Sequence, residues 1–320
     1  MNDLAKYSHY FKKLRRDNKN GGAPHKPILL LSVINQYRQG NIENNRIYLT
    51  PDLIGDFKFY WSKLVTTNHY PHFYLPFYHM KSEPFWKLVA NPGCEKWVNS
   101  RSPFRGFNAL KTAVDFVQID IELADFLKKI ENREVLRQVL LENYFAKTKD
   151  QIDLNNDLFN KLSDEILNED PFSYQKKISE LKNKLDEAAF EEEVFVRSGA
   201  FKRDVSRIYA DTCAISNLKI DATKTYSTVD ACHIIPFSES QNDHISNGIA
   251  LCPNLHRAFD RGLISIDDNY CLLLSKDFKE HYDSPYGIKQ FDGKAINLPQ
   301  NEKFYPLLEN LAWHRKHFNL

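Results

Sequence analysis

The sequence has no apolar run that approaches the roughly 20 residues a membrane-spanning helix needs. Its first residues, MNDLAKYSHYFKKLRRDNK, are polar and charged and lack the apolar core of a secretory signal. We therefore predict a cytoplasmic protein that has no membrane partner.

Cysteine is scarce as well. The chain has five cysteines, an odd number, and they are widely scattered without a C-x-x-C pair, at positions 94, 213, 232, 252 and 271. This pattern argues against a disulfide framework and against a four-cysteine structural zinc site.

An excess of one charge is also missing. The 43 Lys and Arg residues nearly balance the 42 Asp and Glu residues, so the formal net charge is +1. Any binding of nucleic acid must therefore come from local basic patches, since the chain has no overall positive field. Such patches lie near residues 12–16, 197–207, 257–261 and 314–317. Each patch is either a contact surface or an ordinary solvated helix face.

The 320 residues suffice for two domains, and three regions differ in composition. Residues 1–147 are rich in aromatics and predict a mixed domain with more helix than strand. Residues 148–195 have apolar residues at three- and four-residue spacing between opposite charges, which predicts a helical linker and offers a seam for a homodimer. Residues 196–320 combine short strands with helices. The predicted fold class is α+β.

Two stretches of the first region make specific predictions. The segment PHKPILLLSVINQYRQG predicts a buried helix that begins near Pro24 and ends at Gly40. The segment FYHMKSEPFWKLVAN alternates in polarity and predicts strands joined by a turn.

The most informative stretch is VDACHIIPFSESQNDHISNGIALCPNLHRAFDRGLISI, residues 229–266. It predicts a strand over 227–235, a polar loop, a second strand over 249–252 and a helix that begins at Pro253. His256 and Asp260 are four residues apart in this helix, so they share one face. That face can pack against the strand that carries His233.

A histidine on a strand beside two ligands on a helix suits phosphodiester hydrolysis. The reaction needs a base that deprotonates water, and histidine is the side chain poised near neutral pH. It also needs a cation to neutralise the charge that develops on the phosphate and the leaving oxygen. A hard ion such as Mg²⁺ keeps most of its waters, so an imidazole and a carboxylate are an adequate ligand set.

The runs ACHIIP, SNG and LCPNLHRAFDRGLISI resemble the HNH endonucleases, in the branch found in bacterial restriction-like proteins. The resemblance covers about residues 195–320 and implies a ββα-metal nuclease domain. It implies that His233 is the general base, that Asn247 braces the loop and that His256 is a metal ligand. Asp260 stands where related sites often have a second ligand on the helix.

One position departs from the family pattern. Many HNH sites have Asp or His directly before the base, where this chain has Cys232, and a thiolate is a poor ligand for Mg²⁺. Either Asp230 on the same strand face replaces it, or His256 and Asp260 hold the ion with phosphate and water. The expected cofactor is Mg²⁺ or another divalent cation, with Mn²⁺, Co²⁺ and Ni²⁺ as alternatives. Arg257 and Arg261 either hold DNA phosphates or form a solvated face.

In the first region, APHKPILLL and EPFWKL resemble a domain that precedes HNH modules in modification-dependent restriction enzymes. Known relatives of that domain include binders of phosphorothioate DNA. The resemblance implies that Pro84 helps to form a ligand pocket and that Lys26 contacts phosphate. Glu83 stands where those relatives often have Tyr. The alternative is that Pro84 belongs to the core.

The sequence therefore predicts a metal-dependent endonuclease of restriction type that cuts double-stranded DNA. The N-terminal region would direct it to modified or foreign DNA, and a homodimer would allow cleavage of both strands. Two alternatives stay open: an unspecific nicking or toxin-like nuclease, and a DNA-binding protein with a decayed nuclease site.

Overall fold

The computed structural model describes residues 3–100, 104–152, 158–220, 227–281 and 284–320. The chain forms two compact units. The first comprises Met1–Lys161 with Lys182–Val196, and the second comprises Leu162–Leu181 with Arg197–Leu320. Residues 148–195, predicted to be a separate linker, are thus divided between the two units.

The first unit surrounds a small antiparallel sheet with helices. Its helices are α1 (Asp3–Lys12), α2 (His25–Gln39), α3 (Pro51–Leu64), α4 (Tyr74–His79), α5 (Glu95–Asn99), α6 (Phe107–Ala113), α7 (Ile121–Lys128) and α8 (Ile130–Tyr144). Its strands are β1 (Arg46–Tyr48), β2 (Trp86–Ala90) and β3 (Val114–Ile119), paired in the order β1–β3–β2. The central strand β3 contributes Val114, Val117 and Ile119 to the core.

Helix α2 is the core helix of the first unit. Every residue from Lys26 to Tyr37 is buried. The helix ends before Gly40, whose φ of 79° and ψ of 9° lie in the left-handed region. Glycine adopts this conformation without a clash from Cβ, so it stops the helix sharply. These bounds confirm the buried helix predicted from Pro24 to Gly40.

The segment predicted to be two strands joined by a turn has only one strand. Residues Tyr74–His79 form α4, and β2 begins only at Trp86. Phe73 and Phe77 are fully buried and their rings contact each other at a centroid distance of 5.4 Å. They are four residues apart, so a helix places both on one face toward the core. The prediction of a strand before the turn was wrong for this reason.

The boundaries between the two units fall within three helices. They are α9 (Leu158–Asn168), α10 (Pro171–Lys184) and α11 (Glu187–Ile208). None of the described helices is long and apolar enough to span a membrane.

The second unit contains two short hairpins and the helices packed on them. Its further elements are β4 (Asp230–His233), α12 (Phe237–Ser240), β5 (Gly248–Leu251), α13 (Pro253–Asp260), β6 (Ile264–Ile266), β7 (Leu272–Leu274) and α14 (Leu308–His317). Strand β4 pairs with β5 and β6 pairs with β7, both antiparallel. Helices together with small antiparallel sheets confirm the predicted α+β class.

Gly248 explains how closely α11 packs on the β4–β5 hairpin. A Cβ atom at Gly248 would lie 2.5 Å from Cγ2 of Val205 and 2.9 Å from Cζ of Phe201. Both neighbours are side chains of α11, so any residue larger than glycine would push the helix away. The close packing places Phe201 beside His233, which pairs with Gly248 across the hairpin.

Candidate active site

The loop between β4 and β5 is held at its base by one side chain. Asn247 is fully buried, and its Oδ1 accepts a hydrogen bond from the Ile235 amide at 2.9 Å. Its Nδ2 donates to the carbonyls of Ile235 at 2.9 Å and Asn242 at 3.0 Å. Asn247 thus ties the chain just after His233 to the far end of the loop, and it fixes the backbone on both sides.

His233 is the last residue of β4 and has two defined neighbours. Its Nε2 lies 2.7 Å from Oδ1 of Asp243. Its ring stacks on Phe201 with centroids 4.1 Å apart and an interplanar angle of 12°. When Nε2 donates its proton to the Asp243 carboxylate, Nδ1 carries the lone pair and is the nitrogen able to accept a proton.

Asp243 is a functional candidate that the sequence alone did not single out. Its side chain is 2% exposed, so this carboxylate is buried against the imidazole of His233. It lies within FSESQNDHISNG, where every polar residue fits an ordinary turn. The sequence shows an acidic residue between the histidine and the SNG motif, but this spacing does not by itself indicate a contact.

Helix α13 presents His256 and Asp260 toward β4. The helix starts with Pro253 at its first position, as predicted, because proline fits a turn whose N–H groups have no intrahelical partner. Nε2 of His256 lies 3.3 Å from Oδ2 of Asp260. Nδ1 of His256 lies 3.1 Å from Oδ2 of Asp230. The imidazole is therefore held between two carboxylates.

Cys232 completes this group from the floor of the site. It is fully buried, and its Sγ lies 3.6 Å from Oδ1 of Asp260. Burial raises the pKa of the Cys232 thiol well above its usual value, and the neighbouring charge of Asp260 raises it further. One ligand atom each from Cys232, His256 and Asp260 lie within 4.8 Å of one another.

These residues fit a divalent cation, but they are an unusual set for Mg²⁺. Magnesium prefers oxygen ligands and bound water, whereas a thiolate and an imidazole favour ions of the zinc type. Among the described residues, the group able to hold an ion consists of Cys232, His256 and Asp260. Asp230 contacts the opposite nitrogen of His256, in the position of a carboxylate that orients a ligating histidine.

His233 does not belong to this group of potential ligands. Successive side chains of a strand point to opposite faces, so Cys232 and His233 leave β4 on different sides. Cys232 faces α13, and His233 faces Phe201 on α11 and Asp243 in the loop. The side chains of His233 and His256 are 18% and 25% exposed, so each imidazole is accessible from solvent.

Arg257 and Arg261 are exposed, at the end of α13 and directly after it. They share this end of the helix with the exposed carboxylate of Asp260. Their position leaves both guanidinium groups accessible to a phosphate.

The first unit contains a separate cavity of about 640 Å³ with a basic lining. Its cationic and imidazole residues are Arg15, Arg16, His25, Lys26 and His79. Burial lowers the pKa of His25 to about 4, so His25 is neutral at pH 7. The lining also contains Asp17, and Lys26 is paired with a carboxylate, so the cavity owes its positive charge to Arg15 and Arg16.

Lys26, which lines this cavity, forms a buried ion pair with Glu83. Nζ of Lys26 lies 2.5 Å from Oε1 of Glu83, and their side chains are 8% and 4% exposed. The Glu83 carboxylate also accepts a hydrogen bond from the amide of Arg15 at 2.9 Å. Glu83 is thus neutralised inside the unit. Pro84, the next residue, is exposed rather than part of the core.

The burial of this pair makes a prediction about stability. Lys26→Ala strands the Glu83 carboxylate, so we expect it to lower the free energy of unfolding by about 3–5 kcal/mol. Exposed Lys87 is the matched control, and Lys87→Ala should change stability little. Urea unfolding followed by circular dichroism measures both. A Lys26→Ala protein that unfolds like wild type but binds all DNA more weakly would instead identify Lys26 as a phosphate contact.

Residues 213–267 match the family model HNH_2, described as HNH endonuclease. The predicted HNH endonuclease domain is thereby confirmed, and it contains the hairpin, the loop and α13. No curated protein matches the chain. Among solved structures, a modification-dependent TagI restriction endonuclease aligns with a TM-score of 0.27 and 19% identity. That alignment covers 37% of this chain and 36% of the other, so the chain spans about a third of that protein's length.

Proposed function

We propose that this chain is a metal-dependent endonuclease that hydrolyses phosphodiester bonds of double-stranded DNA, with His233 as the general base. The observation that carries the proposal is the pairing of His233 with buried Asp243, beside a cluster of potential metal ligands. Both lie in the segment that matches the HNH endonuclease model.

Each residue of the site has a distinct role in this proposal. His256 and Asp260 hold the cation, which when bound would neutralise the negative charge that develops on the phosphate. His233 takes the proton of the attacking water at Nδ1, while Asp243 holds Nε2 and stabilises the imidazolium that results. Asn247 keeps the backbone around His233 in place.

DNA binding in the proposal is divided between the two units. Arg257 and Arg261 contact phosphates near the cut, which positions the duplex without reading its sequence. The basic cavity of the first unit takes a modified part of the DNA backbone or a modified base. Pro84, which is exposed, would help to form a ligand pocket in the same unit, so a change at Pro84 should alter the choice between modifications.

One nuclease site of this kind cuts one strand. A double-strand break therefore requires either two copies of the chain or two successive nicks, and we propose a homodimer. Sedimentation of the active protein distinguishes these possibilities, because a monomer that breaks both strands in one event is incompatible with the dimer.

The proposal is tested by a cleavage panel on identical duplexes that carry phosphorothioate linkages, methylated bases or no modification. Each duplex is incubated with Mg²⁺, Mn²⁺, Co²⁺, Ni²⁺ or Zn²⁺. We expect cleavage that depends on the ion and that favours a modified duplex. Equal cleavage of every duplex would favour the unspecific nuclease. Binding without cleavage under all conditions would favour a decayed nuclease.

The pairing of Asp243 with His233 makes a separate prediction. Asp243→Asn keeps the shape of the side chain but removes its charge. The rate of cleavage should therefore fall, but by less than the roughly 10²–10⁴-fold that a general base contributes. Asp267→Asn, on a loop of the same unit, is a control for the loss of one carboxylate. A cleavage rate of folded Asp243→Asn equal to that of wild type would show that Asp243 only supports the loop.

A further inference from the structure

We infer that the Cys232 thiolate is itself a ligand of the catalytic cation, and that the site therefore selects a thiophilic divalent ion of the zinc and cobalt type over Mg²⁺. The inference rests on the proposed function for the presence of a cation. It goes beyond that function by naming the chemical class of the ion and the residue that selects it.

The spacing of the donors supports this assignment. Zinc binds sulfur at about 2.3 Å and nitrogen or oxygen at about 2.0–2.2 Å, so two donors of a tetrahedral site lie roughly 3.5 Å apart. Cys232 Sγ lies 3.6 Å from Oδ1 of Asp260, and His256 Nε2 lies 3.3 Å from Oδ2 of the same carboxylate. Each of these two donors is therefore already at about this distance from one oxygen of Asp260. One ligand atom from each of the three residues lies within 4.8 Å of the other two.

The surroundings of each donor agree with a ligand site. Cys232 is anchored in β4 and fully buried, so its position is fixed, whereas the carboxylate of Asp260 is 55% exposed and can adjust. Nδ1 of His256 faces Asp230 at 3.1 Å. A carboxylate on that nitrogen keeps the proton on Nδ1 and directs the lone pair of Nε2 to the ion, as a carboxylate hydrogen-bonded to a ligating histidine does in zinc sites.

The charges balance on binding. As the bond between sulfur and the ion forms, the S–H bond of Cys232 breaks and its proton leaves to solvent. One thiolate and one carboxylate then neutralise a divalent ion, and the neutral imidazole is the third ligand. Three protein ligands leave a fourth position for water or a phosphate oxygen, as in catalytic rather than structural zinc sites.

A merely structural Cys232 would contact apolar neighbours and would need no donors around it. Buried cysteines commonly behave as small apolar residues. Cys213 and Cys252 are buried in the same unit with their sulfurs 3.7 Å apart. Such a pair of thiols could bind cobalt through sulfur independently of Cys232, so a variant that lacks both is the matched control.

The test is a titration of the full chain with Co²⁺ in the presence of a phosphine reductant, followed by near-ultraviolet absorption. A bond between thiolate and cobalt gives an intense charge-transfer band that oxygen and nitrogen ligands do not give. We expect the band in wild type and in Cys213→Ser/Cys252→Ser, and its loss in Cys232→Ser. His256→Ala keeps the thiol and should weaken cobalt binding by more than about 10- to 100-fold, the usual cost of losing an outer partner.

Three results would overturn the inference: no band in wild type, an undiminished band in folded Cys232→Ser, or loss of the band only in the double variant. If Cys232→Ser does not fold, the inference is tested by the presence of the band in wild type and by the loss of cobalt affinity in His256→Ala. Cleavage assays separate this inference from the proposed function. Cleavage by wild type and Cys232→Ser alike with Mg²⁺ refutes only the inference. A band that depends on Cys232, without cleavage by any ion, refutes only the function.

Discussion

Replacing His233 with alanine should reduce the rate of DNA cleavage by about 10²–10⁴-fold, which is the usual contribution of a general base. In the proposed mechanism the imidazole takes the proton of the attacking water, and the alanine side chain has no group that can do so. Asp243 loses its partner, but the loop remains tied by Asn247. The fold, the affinity for DNA and the affinity for the cation should therefore stay close to those of wild type.

Single-turnover cleavage with saturating enzyme measures this effect without a contribution from binding. His281→Ala is the control, because His281 is an exposed histidine outside the site. Cleavage by folded His233→Ala at a rate within tenfold of wild type would exclude His233 as the base.

The second large effect is expected from His256→Ala. This change removes one of three potential ligands of the cation. The affinity for the cation should therefore fall by more than the roughly 10- to 100-fold that the loss of an outer carboxylate causes. Asp230→Asn, which keeps His256 and alters only its partner on Nδ1, should fall within that smaller range. The comparison also shows whether Asp230 is a ligand or only orients His256. A loss of cation affinity in Asp230→Asn equal to that in His256→Ala would identify Asp230 as a ligand.

The two histidines should respond differently to the cation. Raising the concentration of the divalent ion should restore part of the activity of His256→Ala, because its remaining ligands can still bind. The same increase should restore none of the activity of His233→Ala, because the base is absent. Rates measured across a range of ion concentrations give both results. Equal recovery of the two variants would mean that the roles are assigned to the wrong residues.

The sequence predicted those parts of the fold that have a local cause. Helix α2 followed from its apolar run and from Gly40, which is in the left-handed region. Helix α13 followed from Pro253. Strand β4 lies inside the strand predicted over 227–235, and each end of β5 is one residue from the strand predicted over 249–252. Turn residues and helix-capping residues act within a few positions of the chain, so they can be read from the sequence.

The contacts between distant segments could not be predicted in this way. Nothing in the loop sequence indicated that Asp243 is buried against His233, or that His244 is buried and hydrogen-bonded to Ser246 and Glu169. The ion pair of Lys26 with Glu83 joins residues 57 positions apart. Such contacts depend on how elements pack, and periodicity within one element carries no information about them.

The role of His233 in a metal-dependent endonuclease is tested most directly by the nicking of supercoiled plasmid. Wild type and His233→Ala are assayed in parallel with an active divalent ion. A chelator is then added, and after it an excess of the ion. We expect wild type to nick the plasmid, to stop when the chelator is added and to resume when the ion is restored. His233→Ala should remain near background throughout. Nicking that continues in the chelator, or that is as fast in His233→Ala, would contradict a metal-dependent endonuclease with His233 as its base.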